Sequence, residues 1–182
     1  MKKAITIALS FVLFGCITKP AFAQALPMAE ASAHLPIPET VADARVTKLK
    51  AYLTLHNSPM ADDAGHFIAE ADRLGLDWKL VAAIAGVEST FGKHIPRNSY
   101  NGWGWGVFTG QNDGIHFDSW KDGITTVSEG LKYRYIDRGA DTIEKMGSIY
   151  AASPTWSIKV RYFLTKIENF DPVGVEHLEV TI

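Results

Sequence analysis

Leu80, Val81, Ile84, Val87 and Phe91 recur at the spacing of one helical face, with Asp77 ahead of them as a cap and Gly92 behind them as a stop. No strand sustains that spacing, so the segment predicts a helix and commits this part of the chain to helical packing. The flanking text repeats the pattern. Val46, Leu49, Leu53 and His56 share a face from about Thr40, until Ser58-Pro59 ends it. Phe67, Ala71 and Leu74 mark a second helix that ends near Gly75. Further on, Ser119 and Asp122 have the spacing of a capping box, and Trp120, Ile124, Val127, Leu131 and Tyr135 form one apolar face up to Gly139. A short helix is expected from Asp141 to about Tyr150, and another after Ser153-Pro154 with Trp156, Val160, Phe163 and Ile167 on one side. Between Lys93 and Phe117 the text turns to Asn, Gly and aromatics, which predicts loops with one or two short strands.

The N-terminus is of another kind. Met1-Lys2-Lys3, the 14-residue apolar run Ala4 to Ile17, and Ala21-Phe22-Ala23 have the layout of a secretory signal cleaved after residue 23. The apolar run is shorter than the ~20 residues a spanning helix needs, so no stable membrane insertion is expected after cleavage. Leu13-Phe14-Gly15-Cys16 offers the alternative of a lipoprotein anchored at Cys16, although Phe14 is bulky where such signals prefer a small residue. Residues 24–39, with Pro27, Pro36 and Pro38 and no period, read as a tether. The domain is expected over 40–169, and 170–182 is an unassigned tail. The chain is accordingly expected to be exported, to the periplasm or outside the cell.

Charge and cysteine content then exclude several function classes. Cleavage removes Lys2, Lys3 and Lys19 and no acid, leaving 15 basic against 20 acidic residues, a net of −5. A nucleic-acid surface needs the opposite sign, so no nucleic-acid partner is expected. Cys16 is the only cysteine, so the exported domain has no thiol nucleophile, disulfide or cysteine-held metal. The six histidines, His34, His56, His66, His94, His116 and His177, lack ligand spacing, and neither a metal nor another cofactor is expected. Phosphate-cradling and serine-hydrolase motifs do not occur. Lys132, Arg134 and Arg138 make a small basic patch, read as a solvated face near acids such as Asp137.

One carboxylate stands out. At ~100° per residue from Val81, Ile84 falls at about 300°, Glu88 at about 340° and Phe91 at about 280°, so Glu88 lies inside the apolar stripe. Burial without a cation raises a carboxyl pKa, as a general acid requires. The alternative is that Glu88, one turn before Gly92, sits at the edge of the core and bonds a loop amide. Just beyond it, Tyr100, Trp103, Trp105 and Phe108 are interleaved with Gly102, Gly104, Gly106 and Gly110. Such glycines let backbone approach a ligand, and flat aromatic faces stack on sugar rings. For any single tryptophan, inward packing is the competing reading.

Leu80-Val81-Ala82-Ala83-Ile84-Ala85-Gly86-Val87-Glu88-Ser89-Thr90-Phe91-Gly92-Lys93 resembles the lysozyme-superfamily helix that ends in a catalytic Glu-Ser pair, found in soluble lytic transglycosylases and bacterial endo-β-N-acetylglucosaminidases. Asn101-Gly102-Trp103-Gly104-Trp105-Gly106 resembles the Asn-x-aromatic-Gly segment of the glucosaminidases. Phe117-Asp118-Ser119-Trp120 and Tyr150-Ala151-Ala152-Ser153-Pro154 are similar to two later segments of that family. The likeness runs from about Asp62 to Ile167. The Gly-Leu-Met-Gln segment of the transglycosylases is missing, Gly104-Trp105-Gly106-Val107 standing there instead, which favours the glucosaminidase branch.

The resemblance implies a mostly α, lysozyme-like α+β domain, with a glycine-rich aromatic loop or β-hairpin beside a cleft. It implies cleavage of β-1,4 bonds between amino sugars of peptidoglycan strands, with Glu88 as proton donor and Tyr150 lining the cleft. Ser89, Tyr100, Asn101, Trp103, Trp105 and Phe108 are the expected substrate contacts. A hydrolase also needs a second carboxylate to activate water. Asp113 and Asp118 are the candidates, with a turn and a helix cap as their respective structural alternatives. Three other readings stand beside it: a lytic transglycosylase forming 1,6-anhydro ends, a non-catalytic peptidoglycan-binding or scaffolding domain, and an inhibitor or effector secreted against another cell's wall.

Overall fold

The computed structural model describes residues 43–107, 114–151 and 153–173. The signal, Cys16 and tether, Phe108 and Asp113, and residues 174–182 of the tail lie outside the described residues. Among the described residues six α-helices carry the domain: α1 (Ala44–Leu55), α2 (Ala64–Leu74), α3 (Leu80–Ser89), α4 (Trp120–Gly130), α5 (Ile143–Tyr150) and α6 (Trp156–Glu168). Ser119 caps α4 as expected, whereas Asp77 does not cap α3: Lys79 stands at that N-cap, and Asp77, two residues earlier, accepts the Lys79 N–H at 3.0 Å. The Asp43 carboxylate accepts the Arg45 N–H at 2.8 Å, Ser119 Oγ accepts Asp122 N–H at 3.2 Å, and Thr142 Oγ1 accepts Lys145 N–H at 3.3 Å. Gly75 closes α2 in the left-handed conformation, φ 66°.

The centre of the fold is α3. Leu80 through Gly86 are buried on every side, because Ala82, Ala83, Ala85 and Gly86 are small enough for neighbouring elements to pack closely. α6 lies along α3, while α2 packs against both α1 and α4. No helix among the described residues is long and apolar enough to cross a membrane.

Three further sequence expectations are corrected here. First, α3 stops at Ser89 rather than running on to Phe91, because Thr90 (φ 53°), Phe91 (φ 59°) and Gly92 (φ 83°) are successively left-handed. Second, 93–117 holds no strand among its described residues. It is an irregular loop, pinned by single bonds from Ile115 N–H to Trp105 O (3.0 Å) and from Phe117 N–H to Ser99 O (2.9 Å). Third, the apolar face begun by α4 is not one regular helix. It widens into a π-turn over Leu131–Tyr135 and tightens into a 3₁₀ turn over Ile136–Arg138 before Gly139.

Glycines inside the helices serve as seats for aromatic rings. A Cβ on Gly123 would stand 2.7 Å from the Trp103 ring, and one on Gly130 would overlap the Trp105 indole. These two glycines are seven residues apart on one face of α4, so a single helix receives both tryptophans of the loop. Gly147 of α5 seats Trp156 in the same way, an added Cβ standing 3.0 Å from its ring.

Candidate functional site

Glu88 sits in the last turn of α3, at the negative end of the helix dipole. The expectation of a buried carboxylate is corrected, because the last turn leaves the core: Val87 is half-buried and Glu88 is exposed. One carboxylate oxygen, Oε1, accepts a 2.6 Å hydrogen bond from the Trp156 indole N–H. The other, Oε2, lies beside Gly104, where an added Cβ would stand 3.6 Å away. The carboxylate is therefore walled on two sides and open on a third. Desolvation on the walled sides raises its pKa above the ordinary 4.5, against the opposing pull of the Trp156 bond and of the Lys159 charge. Among the described residues no Lys, Arg or His forms an ion pair with it.

The turn that follows is held in place by many bonds, which is what lets three left-handed residues persist at a site. Ser89 Oγ accepts the Gly92 N–H at 2.8 Å and donates to the Gly102 carbonyl at 2.7 Å, joining the helix end to the loop. Ser58 Oγ donates to the Phe91 carbonyl at 2.8 Å. Ser89 is buried, so the bonds it makes organise the backbone beneath the cleft.

Asn101 organises the loop in a similar way. Its buried amide donates to the carbonyls of Trp105 (2.8 Å) and Ile115 (2.9 Å), and its Oδ1 accepts the N–H of Trp105 at 2.9 Å. Ser89 and Asn101 border a cleft of about 170 Å³ at Glu88, with Gly104, Val107 and Gly114 on the loop side.

The two tryptophans expected to face sugars turn inward. Trp103 is fully buried among Phe67, Phe117 and Trp120, and its indole N–H donates to the Val81 carbonyl at 2.9 Å. Trp105 is 7% exposed and is packed against α4, Tyr135 and Tyr150. Tyr100 stands at the surface, edge-on to Trp120 and outside the cleft lining.

Tyr150 stacks on Trp156 with ring centres 4.9 Å apart, and its hydroxyl donates to the Trp103 carbonyl at 2.6 Å. Burial, with the Glu88 charge added, holds its hydroxyl pKa well above 10, so it stays neutral. Its hydroxyl is occupied by the loop backbone. Tyr150 is thus a positioning residue that locks Trp156 on one side and the turn carrying Gly104 on the other. Asp118 is exposed ahead of α4, where its N–H donates to Asp122 Oδ2 at 3.1 Å and Ser119 takes the cap. It does not line the Glu88 cleft.

Trp156 is the site residue that sequence reasoning missed. It fits the apolar face of α6, and periodicity does not reveal that its single polar atom points at a carboxylate. Among the described residues no three His, Cys, Asp or Glu side chains are grouped to hold a metal ion. No protein-family model matches the chain, and no curated protein is a significant match to it. What the site does is accordingly read from its own geometry.

The arrangement offers one protonatable oxygen pair at the edge of an open cleft, oriented by an indole and desolvated on two sides. A general acid works only while protonated, so activity that depends on Glu88 is expected to fall as pH rises through its raised pKa. Trp156→Phe removes the bond that favours the charged form while keeping a ring against Tyr150. The alkaline limb of the pH–rate profile is expected to move to higher pH; a limb that stays put or moves down would show that the indole does not act on Glu88.

Proposed function

We propose that the exported domain cleaves β-1,4 bonds between amino sugars of peptidoglycan strands, with Glu88 as general acid. The observation that carries this reading is the carboxyl itself: pKa raised, free of ion pairs among the described residues, oriented by Trp156 and open to a cleft. A glycosidic oxygen leaves poorly unless it is protonated, and a positioned acid contributes typically ~10²–10⁴-fold to such a step. Glu88 protonates the leaving oxygen as the bond to the anomeric carbon breaks, and a cation-like sugar develops next to the newly formed carboxylate. The likeness of residues 101–106 to the glucosaminidases supports hydrolysis, in which water adds to the anomeric carbon and gives up its proton to complete the cut.

A second reading is favoured by one specific observation. Asp118, one of the two candidates for a second carboxylate, stands away from the Glu88 cleft, and the other, Asp113, lies outside the described residues. Attack by the sugar's own 6-hydroxyl, with Glu88 taking the proton back, needs no second carboxylate and leaves a 1,6-anhydro end. Mass spectrometry of digested peptidoglycan separates the two. Hydrolysis is expected to leave reducing ends at N-acetylglucosamine, whereas the intramolecular path gives ends lighter by one water, ~18 Da, as expected when a single group serves as both acid and base. Strands recovered at their original length would overturn both readings.

A further inference from the structure

A second hollow, of about 330 Å³, adjoins the Glu88 cleft and shares Gly104 and Val107 with it as a common wall. Trp105, Tyr135 and Tyr150 form its floor, each pair of ring centres 5.9–6.1 Å apart, and Arg134 stands at its edge. Arg134 and Tyr135 both belong to the π-turn over Leu131–Tyr135, an irregularity that proteins place at functional sites more often than elsewhere. Lys132 on the same turn is neutralised by Asp137 at 2.6 Å, and Arg45, Arg73 and Arg161 each hold a carboxylate. Arg134 is exposed, and its side chain makes no ion pair or hydrogen bond with any described residue. Its planar fork is free to take a carboxylate in two parallel bonds, next to an aromatic floor suited to a sugar or a methyl group.

We propose that this hollow receives a carboxylate-bearing substituent of the glycan strand, held by Arg134. The proposal rests on the reading of Glu88 as the acid that cuts the strand. In peptidoglycan such substituents occur on every second sugar, so seating one beside the cleft decides which of the two alternating linkages reaches Glu88. Arg134 is then a specificity residue, and neutral amino-sugar oligomers are handled without its help. The carboxylate has two sources, the lactyl ether where it carries no peptide, or the side chains and terminus of the peptide stem where it does.

Equilibrium binding of the full chain carrying Glu88→Gln, with and without Arg134→Gln, distinguishes these cases. Three probes are compared: peptide-bearing strands, strands stripped of peptide to a free lactyl carboxylate, and a chitin oligomer with no carboxylate. Arg134→Gln is expected to weaken binding to carboxylate-bearing strands about tenfold, the scale of one charge-assisted contact, and to leave the chitin oligomer within about twofold. Because the stem is joined through the lactyl carboxyl as an amide, loss on the stripped strands alone assigns the free lactyl carboxylate, loss on the peptide-bearing strands alone assigns a stem carboxylate, and loss on both shows that the fork takes either. Equal loss on all three probes, or no loss on either carboxylate-bearing probe, overturns the proposal. Arg134→Lys, which keeps the charge without the fork, is expected to fall between the two, and unchanged thermal melting checks that the fold is intact. Near wild-type strand cleavage by the Glu88→Gln chain would overturn the reading of Glu88 itself, a result separate from any difference made by Arg134.

Discussion

Glu88→Gln is expected to leave a folded chain that cuts glycan strands at least ~100-fold more slowly than the wild type, the low end of what a positioned general acid contributes. The amide keeps the shape and still accepts the Trp156 N–H, but has no acidic proton to give. Stability is expected to hold, and the sign follows from the raised pKa. As pH rises past the ordinary carboxyl value, the unfolded chain releases its proton before the folded one, so the glutamate costs the fold stability at neutral pH and the glutamine does not. The cleavage rate of purified protein, measured beside its melting temperature, checks both points. Near wild-type cleavage by the variant would remove Glu88 from the chemistry. A collapsed fold would make it a structural residue instead.

Trp103→Ala is expected to act on the fold. The ring is fully buried and fills the space left by Gly123, and its N–H ties the loop to α3 through Val81. Truncating a buried aromatic of this kind costs about 3–5 kcal/mol, a large share of the ~5–15 kcal/mol that holds a domain together. For a chain of this size that lowers the melting temperature by roughly 10 °C. Denaturant unfolding gives the free-energy change directly. An unchanged stability with weakened glycan binding would place the indole on the ligand surface after all.

Much of the scaffold was legible without tertiary information. Helix positions depend on local spacing, and the caps at Ser119 and Gly75 depend on residues within a turn of the helix end, so both are written where they act. Glu88 was legible as the unusual carboxylate in an apolar helix, together with its neighbouring glycine-aromatic loop. The end of α3 was not, because Thr90 and Phe91 are held left-handed by bonds from distant residues such as Ser58. Alternating aromatics and glycines left open which way the loop faces. The decisive complement was the pair Gly123 and Gly130: a glycine inside a helix costs about 1 kcal/mol relative to alanine, and only rings arriving from elsewhere in the chain account for two of them on one face.

By itself, then, the sequence determined the helices, the caps at Ser119 and Gly75 and the carboxylate at the end of α3, because propensity, periodicity and capping act over a few residues. Tertiary structure decided the environment of that carboxylate. Packing of α6 on α3 brings Trp156, 68 positions away, to Glu88, and α5 brings Tyr150 to the Trp103 carbonyl. It also sent the loop tryptophans inward and left Arg134 beside the aromatic hollow. Contacts between residues this far apart arise only when helices dock and exclude water, so no local pattern encodes them.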